Sequence, residues 1–566
     1  MRLRRPRVAR CRFPLLAAGL AATVLAAAPA AGQAGLSHIE NAVPVPRGMV
    51  RLSATPSWAR WDSRFTGSGS ETEPLGAALS AEQLGTAEIP ALTTLESALK
   101  HLTGDPSFRL SLGYASAYSS VRAVVTPISL EYGVTRWLSL GVTVPIVQRH
   151  RELVLDIAAT GDSAGNVGPT AAGIDPQVYV QAAQLAAEID AATMALVRRI
   201  SECAAQPATP GCEAINADPS GAAAAAAEGA RVAASVRYVY GTSASDPGIG
   251  LVPLTGFTAA IAQRLQALNA SYATYLGGTP IPTQTPPRGA AGAVAAGDLR
   301  ALGRRGAAGI GPDSLGRLST IGIGDVEVGA RLLLWDTRPA RLLGDTTSRD
   351  GARLRVLLGA LARFGTGEPA VEGEMFAVGA GDGQNDAEGS IAIDMETGTR
   401  IGATVVGRYT AQFGEVDATR MPDDRGNLSP FGPTGVGTRK LGNVLALDVS
   451  PRVWLAPSLY VAGHYGLRSR ADDSYRFPLD PLADPMPPVL AEPPALPAAA
   501  TAGGYTEQRA GIGVTYSTVA LWERGKVRVP IEVSYSHLET FSGSSALVPR
   551  AGRDQIQLRL YYRLLR

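Results

Sequence analysis

Short segments in which apolar and polar residues alternate recur along most of this chain, and no other feature restricts its fold as strongly. Strict alternation puts one side chain class on each face of a strand. The first clear case is Ile128, Leu130, Tyr132 and Val134, interleaved with Ser129, Glu131 and Gly133. After Thr135-Arg136-Trp137 the pattern resumes as Leu138, Leu140, Val142, Val144 and Ile146 against Ser139, Gly141 and Thr143. That is a hairpin with one apolar and one polar side. Downstream, Val326, Val328, Ala330, Leu332 and Leu334 oppose Asp325, Glu327, Gly329 and Arg331. Leu354, Val356, Leu358, Ala360 and Phe364 oppose Arg353, Arg355, Gly359 and Arg363. Later segments repeat the scheme through Leu445–Arg452, Arg509–Tyr516, Val527–Tyr535 and Ile556–Leu564.

With a first strand near Met49 to Trp61, this pattern gives about twelve strands, and their connections alternate in length. Long ones run over Phe65–Tyr118, Ala158–Ile321, Thr366–Asp386, Gly414–Leu441, Ser469–Gly504 and Ser542–Gly552. Most others are short, such as Thr135–Trp137, Glu396–Thr399 and Ala456–Ser458, with Asp336–Gly351 an exception. A soluble sandwich also alternates, but it gives no reason for long loops at one end and tight turns at the other. An outer-membrane barrel does. The expected fold is therefore an all-β transmembrane antiparallel barrel. Tryptophans near strand ends, at positions 58, 61, 137, 335, 454 and 522, suit interfacial girdles.

Composition agrees. Hydrophobic residues make up 45% of the chain, yet no stretch beyond the N-terminus is apolar for the ~20 residues a membrane helix needs. Crossing must then use strands. The 64 glycines and 40 prolines suit turns and loops. A net charge of +2, from 52 basic and 50 acidic residues, offers no electrostatic case for nucleic acid.

The N-terminus has the form of an export signal. Arg2, Arg4, Arg5, Arg7 and Arg10 precede an apolar run from Phe13 to Ala28, and Ala30-Ala31-Gly32 fits a cleavage site. Residues 1–32 are read as a signal peptide, 33–157 as the first barrel strands with an extracellular loop, 158–321 as a helical loop insertion with a flexible flank, and 322–566 as the remaining strands. Cys11 has no lipobox-like context. Within the insertion, Asp175-Pro176 suits a helix start, and Val178, Ala182, Leu185, Ile189, Leu196 and Ile200 recur at mostly helical spacing. Two further helices are expected over Gly221–Tyr240 and Phe257–Tyr275. Cys203 and Cys212, close together in an exported chain, are expected to form a disulfide. The insertion reads either as a lid or partner-binding cap, or as an appendage without a gating role.

Three motifs carry a resemblance. They are Leu130-Glu131-Tyr132-Gly133-Val134-Thr135-Arg136-Trp137-Leu138-Ser139-Leu140-Gly141-Val142-Thr143-Val144-Pro145, Gly322-Ile323-Gly324-Asp325-Val326-Glu327-Val328-Gly329, and Gly379-Ala380-Gly381-Asp382-Gly383-Gln384-Asn385-Asp386. Together they resemble the outer-membrane transporter-like family labelled "MetA-pathway of phenol degradation". The resemblance covers the strands, not the insertion. It implies a barrel that passes small, often aromatic or apolar, compounds.

No constellation suggests catalysis. The second residue after each histidine is Glu40, Thr103, Glu152, Gly466 or Glu539, so the His-x-Ser pattern of outer-membrane acyl hydrolases is absent. The candidate pore lining is Glu131, Glu327, Asp448 and Glu532 with Arg331, Arg353, Arg355, Arg363, Arg452, Arg528 and Arg559. These charges either set selectivity or fill a narrow lumen as salt bridges. Asp382, Asn385 and Asp386 carry oxygens of the type that hold Ca²⁺, but a polar turn explains them equally, so no metal and no cofactor is assigned. The expected function is an outer-membrane channel or transporter for small solutes, with outer-membrane lipid, the solute and the barrel-assembly machinery as partners. The alternative is a structural or adhesive outer-membrane protein whose cap does the work.

Overall fold

The computed structural model describes residues 42–564 except 68, 90–91, 174, 299–315, 338–351, 370–378, 399, 421–433 and 477–498. The expected signal peptide lies outside the described residues. Twelve antiparallel strands close into a barrel: β1 (Met49–Ala54 continued by Ser57–Trp61), β2 (Ala115–Gly133), β3 (Leu138–Ile157), β4 (Arg317–Ile323 continued by Val326–Asp336), β5 (Ala352–Phe364), β6 (Asp386–Thr397), β7 (Ile401–Gln412), β8 (Val444–Ala456), β9 (Leu459–Arg470), β10 (Tyr505–Ser517), β11 (Ile531–Gly543) and β12 (Gly552–Arg563). Each strand pairs with its sequence neighbours, and β1 pairs with β12 from Met49↔Arg563 to Ala54↔Leu558, so no edge is left open. Closure lets strand backbones pair around the whole sheet, as crossing a bilayer requires.

Exposure divides the two faces as the alternation predicts. Leu52, Ile128, Leu130, Leu140, Ile146, Leu354, Ile391, Leu445, Ile512 and Ile556 point outward, each 37–61% exposed. Such a continuous apolar girdle is costly in water and fits a lipid-facing wall. Among the described residues no helix is long and apolar enough to cross a membrane, so the crossing is made by strands.

Two strands are interrupted, and prolines explain both breaks. Pro127 on β2 faces Pro145 on β3. Neither has an N–H to give. The Pro127 carbonyl accepts from Thr55 N at 3.1 Å, and the Pro145 carbonyl from Gly324 N at 2.8 Å. Each proline therefore turns its missing donor away from the other, toward the breaks at Thr55-Pro56 in β1 and Gly324-Asp325 in β4. Across the β4 break the pairing with β3 moves from Ile323↔Ile146 to Glu327↔Thr143, a one-residue bulge. It turns Asp325 inward, fully buried.

The barrel has a near end, where both β1 starts and β12 finishes, and a far end. Near-end connections are mostly tight; the far-end connections are mostly long. Those between β1 and β2 and between β3 and β4 combine into one helical cap: α1 (Thr93–Thr103), α2 (Gln177–Ala205), α3 (Glu213–Ala217), α4 (Pro219–Tyr240) and α5 (Thr258–Leu276). Leu95 and Leu99 of α1, Leu185 and Ile189 of α2, Val232 and Val236 of α4 and Leu265 of α5 share one buried core. Leu153 and Leu155, on the inner face of β3 beyond the membrane belt, belong to the same core and tie the cap to the wall. Gly229 lets α4 approach α5, because an added Cβ would collide with the Tyr272 hydroxyl.

Three expectations change. The first long connection is not plain loop but supplies α1. The insertion ends earlier than residue 321, since β4 begins at Arg317. β11 begins at Ile531, not near Val527: a helix over Val519–Glu523 occupies this connection, and Pro530 precedes the strand.

Candidate functional site: the lumen and its near-end closure

Inward positions on β1 to β8 carry charges matched into buried ion pairs. Arg51 forks onto Glu131 at 2.7–3.0 Å, and Arg331 reaches the same carboxylate at 3.2 Å. Arg363 joins Glu327 at 2.8 Å and Asp386 at 2.7 Å. Arg353 pairs with Asp336 at 2.8 Å. Arg355 joins Asp394 at 3.0 Å and Glu396 at 2.6 Å, while Arg452 bonds Asp394 and lies 3.3 Å from Glu396. On the far wall Arg559 pairs with Glu532 at 2.6 Å. Charges this deep are tolerated because forked arginine–carboxylate geometry offsets the desolvation cost.

Ten of the eleven sequence-identified charges thus sit on the inner face of the wall. Arg528 does not: it lies exposed in the connection before β11. Val527 and Val529 mimic a strand pattern, but the chain there is a turn. The candidate lining left out Arg51, Asp386 and Asp394, although Asp386 and Asp394 stand at even spacing from Glu388 on β6 and so share its inward face.

The two sides of the lumen differ in hydration. From β2 to β7 the carboxylates of Glu131, Glu327, Asp386 and Asp394 are at most 5% exposed. A void among Glu131, Ser139, Arg331, Gly359, Glu388 and Ser390 offers ≈ 10 Å³ to the centre of a water, about enough for a single molecule. Toward the far end of β8 to β12, side chains are wetter: Asp448 is 24% and Arg509 27% exposed, and they lie 3.4 Å apart. Arg468, Arg553, Ser536 and Gly511 are half-buried along this wall, whereas Glu507, Gly513 and Thr540 are buried. Water therefore reaches some of the inward charges of this wall, Asp448 and Arg509 among them.

Two segments narrow the remaining space. At the far end, the described residues just before β6 fold inward, placing Ala380 against Val125 and Val147. Asp325 holds it by accepting from Gly367 N at 2.9 Å. Asp382, Asn385 and Asp386 do not converge: Asp382 accepts from Gln384 N at 3.0 Å, Asn385 from Gly365 N at 3.0 Å, and Asp386 faces Arg363.

At the near end the residues before β1 turn back into the barrel. Gly48 N donates to Gly133 O at 2.8 Å and Met49 N to Pro46 O at 3.0 Å. Gly133 has to be glycine, since a Cβ would strike the Pro46 carbonyl. Val45 and Met49 pack with Val519 and Tyr561, and Trp522 lies against them. Ala42 continues inward to touch Leu357, Ala392 and Val406, which stand on one rung of β5, β6 and β7. Trp522 thus belongs to this closure, and Trp454 lies beside Arg452, 5.1 Å from its guanidinium. Trp58, Trp137 and Trp335 are the exposed ones, 38–61%.

One further cross-strand contact, with no sequence motif to mark it, joins β8 and β9. Ser450 Oγ on β8 and His464 Nδ1 on β9 are 3.1 Å apart.

Fold and lumen define a membrane-spanning twelve-stranded barrel with a helical cap. No family model and no curated protein matches the chain. Among solved structures it is similar to an outer membrane channel from Pseudomonas putida F1, with 8% identity, TM-score 0.38, and coverage of 93% of this chain and 99% of that one. A Pseudomonas aeruginosa FadL homologue gives 9% identity, TM-score 0.26, and coverage of 96% and 100%. The Pseudomonas putida toluene transporter TodX gives 10% identity, TM-score 0.21, and coverage of 96% of both.

Proposed function

We propose that the protein is an outer-membrane channel for small solutes, at rest closed at its near, periplasmic end, and not an enzyme. The observation that carries this reading is the partial exposure of inward charges on β8 to β12, Asp448, Arg468, Arg509 and Arg553, which a purely structural cylinder has no need to keep wet. Transport requires the Ala42–Gly48 segment to move aside. The resemblance of the strand motifs to the phenol-degradation-pathway family extends the reading to small aromatic or apolar compounds. Export with signal-peptide cleavage, and delivery by the barrel-assembly machinery, belong to the same reading.

The closed near end favours the second reading, a structural or adhesive protein displaying its cap. Uptake by liposomes containing the refolded protein separates the two. Swelling in small neutral solutes and catechol-sized aromatics supports the channel; impermeability to all of them, also without the Ala42–Gly48 segment, supports the structural role. The Ser450–His464 contact gives the enzyme question its own test. A fluorophosphonate probe is expected to leave Ser450 unlabelled.

A further inference from the structure

On the outward face of the wall two arginines stand directly opposite each other. Arg60 on β1 is the cross-strand partner of Arg122 on β2, and Arg122 is in turn the partner of His150 on β3. Side chains so placed have Cβ atoms about 5 Å apart, and like charges in that relation repel. Both arginines are exposed. Among the described residues neither makes a hydrogen bond or an ion pair. The nearby acids are engaged elsewhere or do not pair with them. Asp554 accepts from Tyr535 at 2.7 Å and contacts His537 at 2.9 Å, Glu539 contacts His537 at 3.1 Å, and Glu152 binds Arg317 at 2.9 Å.

The height of this row gives it meaning. Directly beneath it the outward residues are Trp58, Val124 and Gln148, and beneath those the apolar girdle begins. From Tyr132, at the near edge of the girdle, Arg122 is ten residues along β2. At ~3.3 Å per residue and a tilt of ~40° that is about 25 Å along the barrel axis, the height of a lipid-facing belt. The row therefore stands where the headgroups of the far, outer leaflet begin. An unpaired double cation at that level, above a tryptophan, lacks only an anion.

We propose that Arg60 and Arg122, flanked by His150, bind the phosphate of an outer-leaflet lipid headgroup, tethering one lipid to the wall across β1 to β3. The guanidinium forks supply several donors to phosphate oxygens, and the phosphate removes the repulsion between the two strands. The site rests on the membrane-spanning reading of the barrel and is independent of whether the lumen conducts.

Native mass spectrometry of the detergent-extracted full-length protein, mixed with lipid A bearing two phosphates, tests it. The unmodified protein is expected to hold at least about tenfold more of this lipid than R60Q/R122Q, since two charge-assisted hydrogen bonds are lost. With both phosphates removed, the lipid should bind the unmodified protein only at the variant's level. Heat-shifted gel mobility verifies that the variant is folded; should it not assemble, R122Q reads the same comparison. Equal retention by both proteins, or of both lipids, overturns the proposal. So does full displacement of lipid A by inorganic phosphate at the lipid's own concentration, which would mark a site for a free anion.

Discussion

The barrel and its cap are built inside out relative to each other. In the cap, apolar side chains such as Leu185, Ile189, Val236 and Leu265 fill the centre, as in any water-soluble helical bundle. In the barrel the same kinds of residue form the outer belt, and Arg51, Glu131, Arg355, Asp394 and Arg452 fill the centre. One chain thus solves the burial problem twice, with lipid as one solvent and water as the other. The difference teaches that cohesion in the barrel interior is electrostatic and directional, so that removing one charge leaves its partners stranded, whereas the cap loses contacts in proportion to volume.

Breaking the barrel's interior should therefore have the largest effect. Asp394→Ala leaves Arg355 and Arg452 facing each other with only Glu396 between them, and an expected loss of about 3–5 kcal/mol would appear as a lowered temperature for the heat-shifted gel mobility. Leu185→Ala in the cap should cost about 2–5 kcal/mol, but confined to helical signal in circular dichroism, with the barrel's gel shift unchanged. A loss that spread to the barrel would contradict the separation of the two interiors.

The disulfide comes next. Cys203 and Cys212, both fully buried, are joined and close a short loop between α2 and α3. Chain-entropy arguments give about 2–3 kcal/mol for a loop of this size, so C203S/C212S should lower only the cap's melting temperature. The smallest effect is one of pH. The Glu228 carboxyl, hydrogen-bonded by His101 and by Arg231 and Arg264, is held down at about 2 from an ordinary 4.5. A depressed carboxyl contributes stability that is present above 4.5 and is lost as pH falls toward 2. Cap unfolding in acid should begin in that window, and Glu228→Gln should flatten the dependence.

The two regions also differed in how far sequence revealed them. Strand periodicity was legible because lipid and lumen select opposite residue types at every second position, and that alone placed Glu131, Glu327, Arg363 and Arg452 inward. Their pairing was not legible, because Arg51 meeting Glu131 depends on register between strands far apart in sequence. Arg528 was misassigned because Val527 and Val529 imitate a strand until Pro530 intervenes. Helix α1 was missed although Leu95, Leu99 and Leu102 have helical spacing and Gly104 ends the run at φ 69°; eleven residues inside a long connection were too short to stand out. The inward turn of Ala42 and Val45 has no periodic signature at all.

The central claim is a closed barrel whose near end is stopped by its own N-terminal segment. Single-channel conductance in planar bilayers, comparing the unmodified protein with a variant lacking residues 33–46, addresses it most directly. The account predicts rare, small openings for the unmodified protein and frequent, larger ones for the variant. Identical silence from both, with the variant's gel mobility showing an intact barrel, would contradict it.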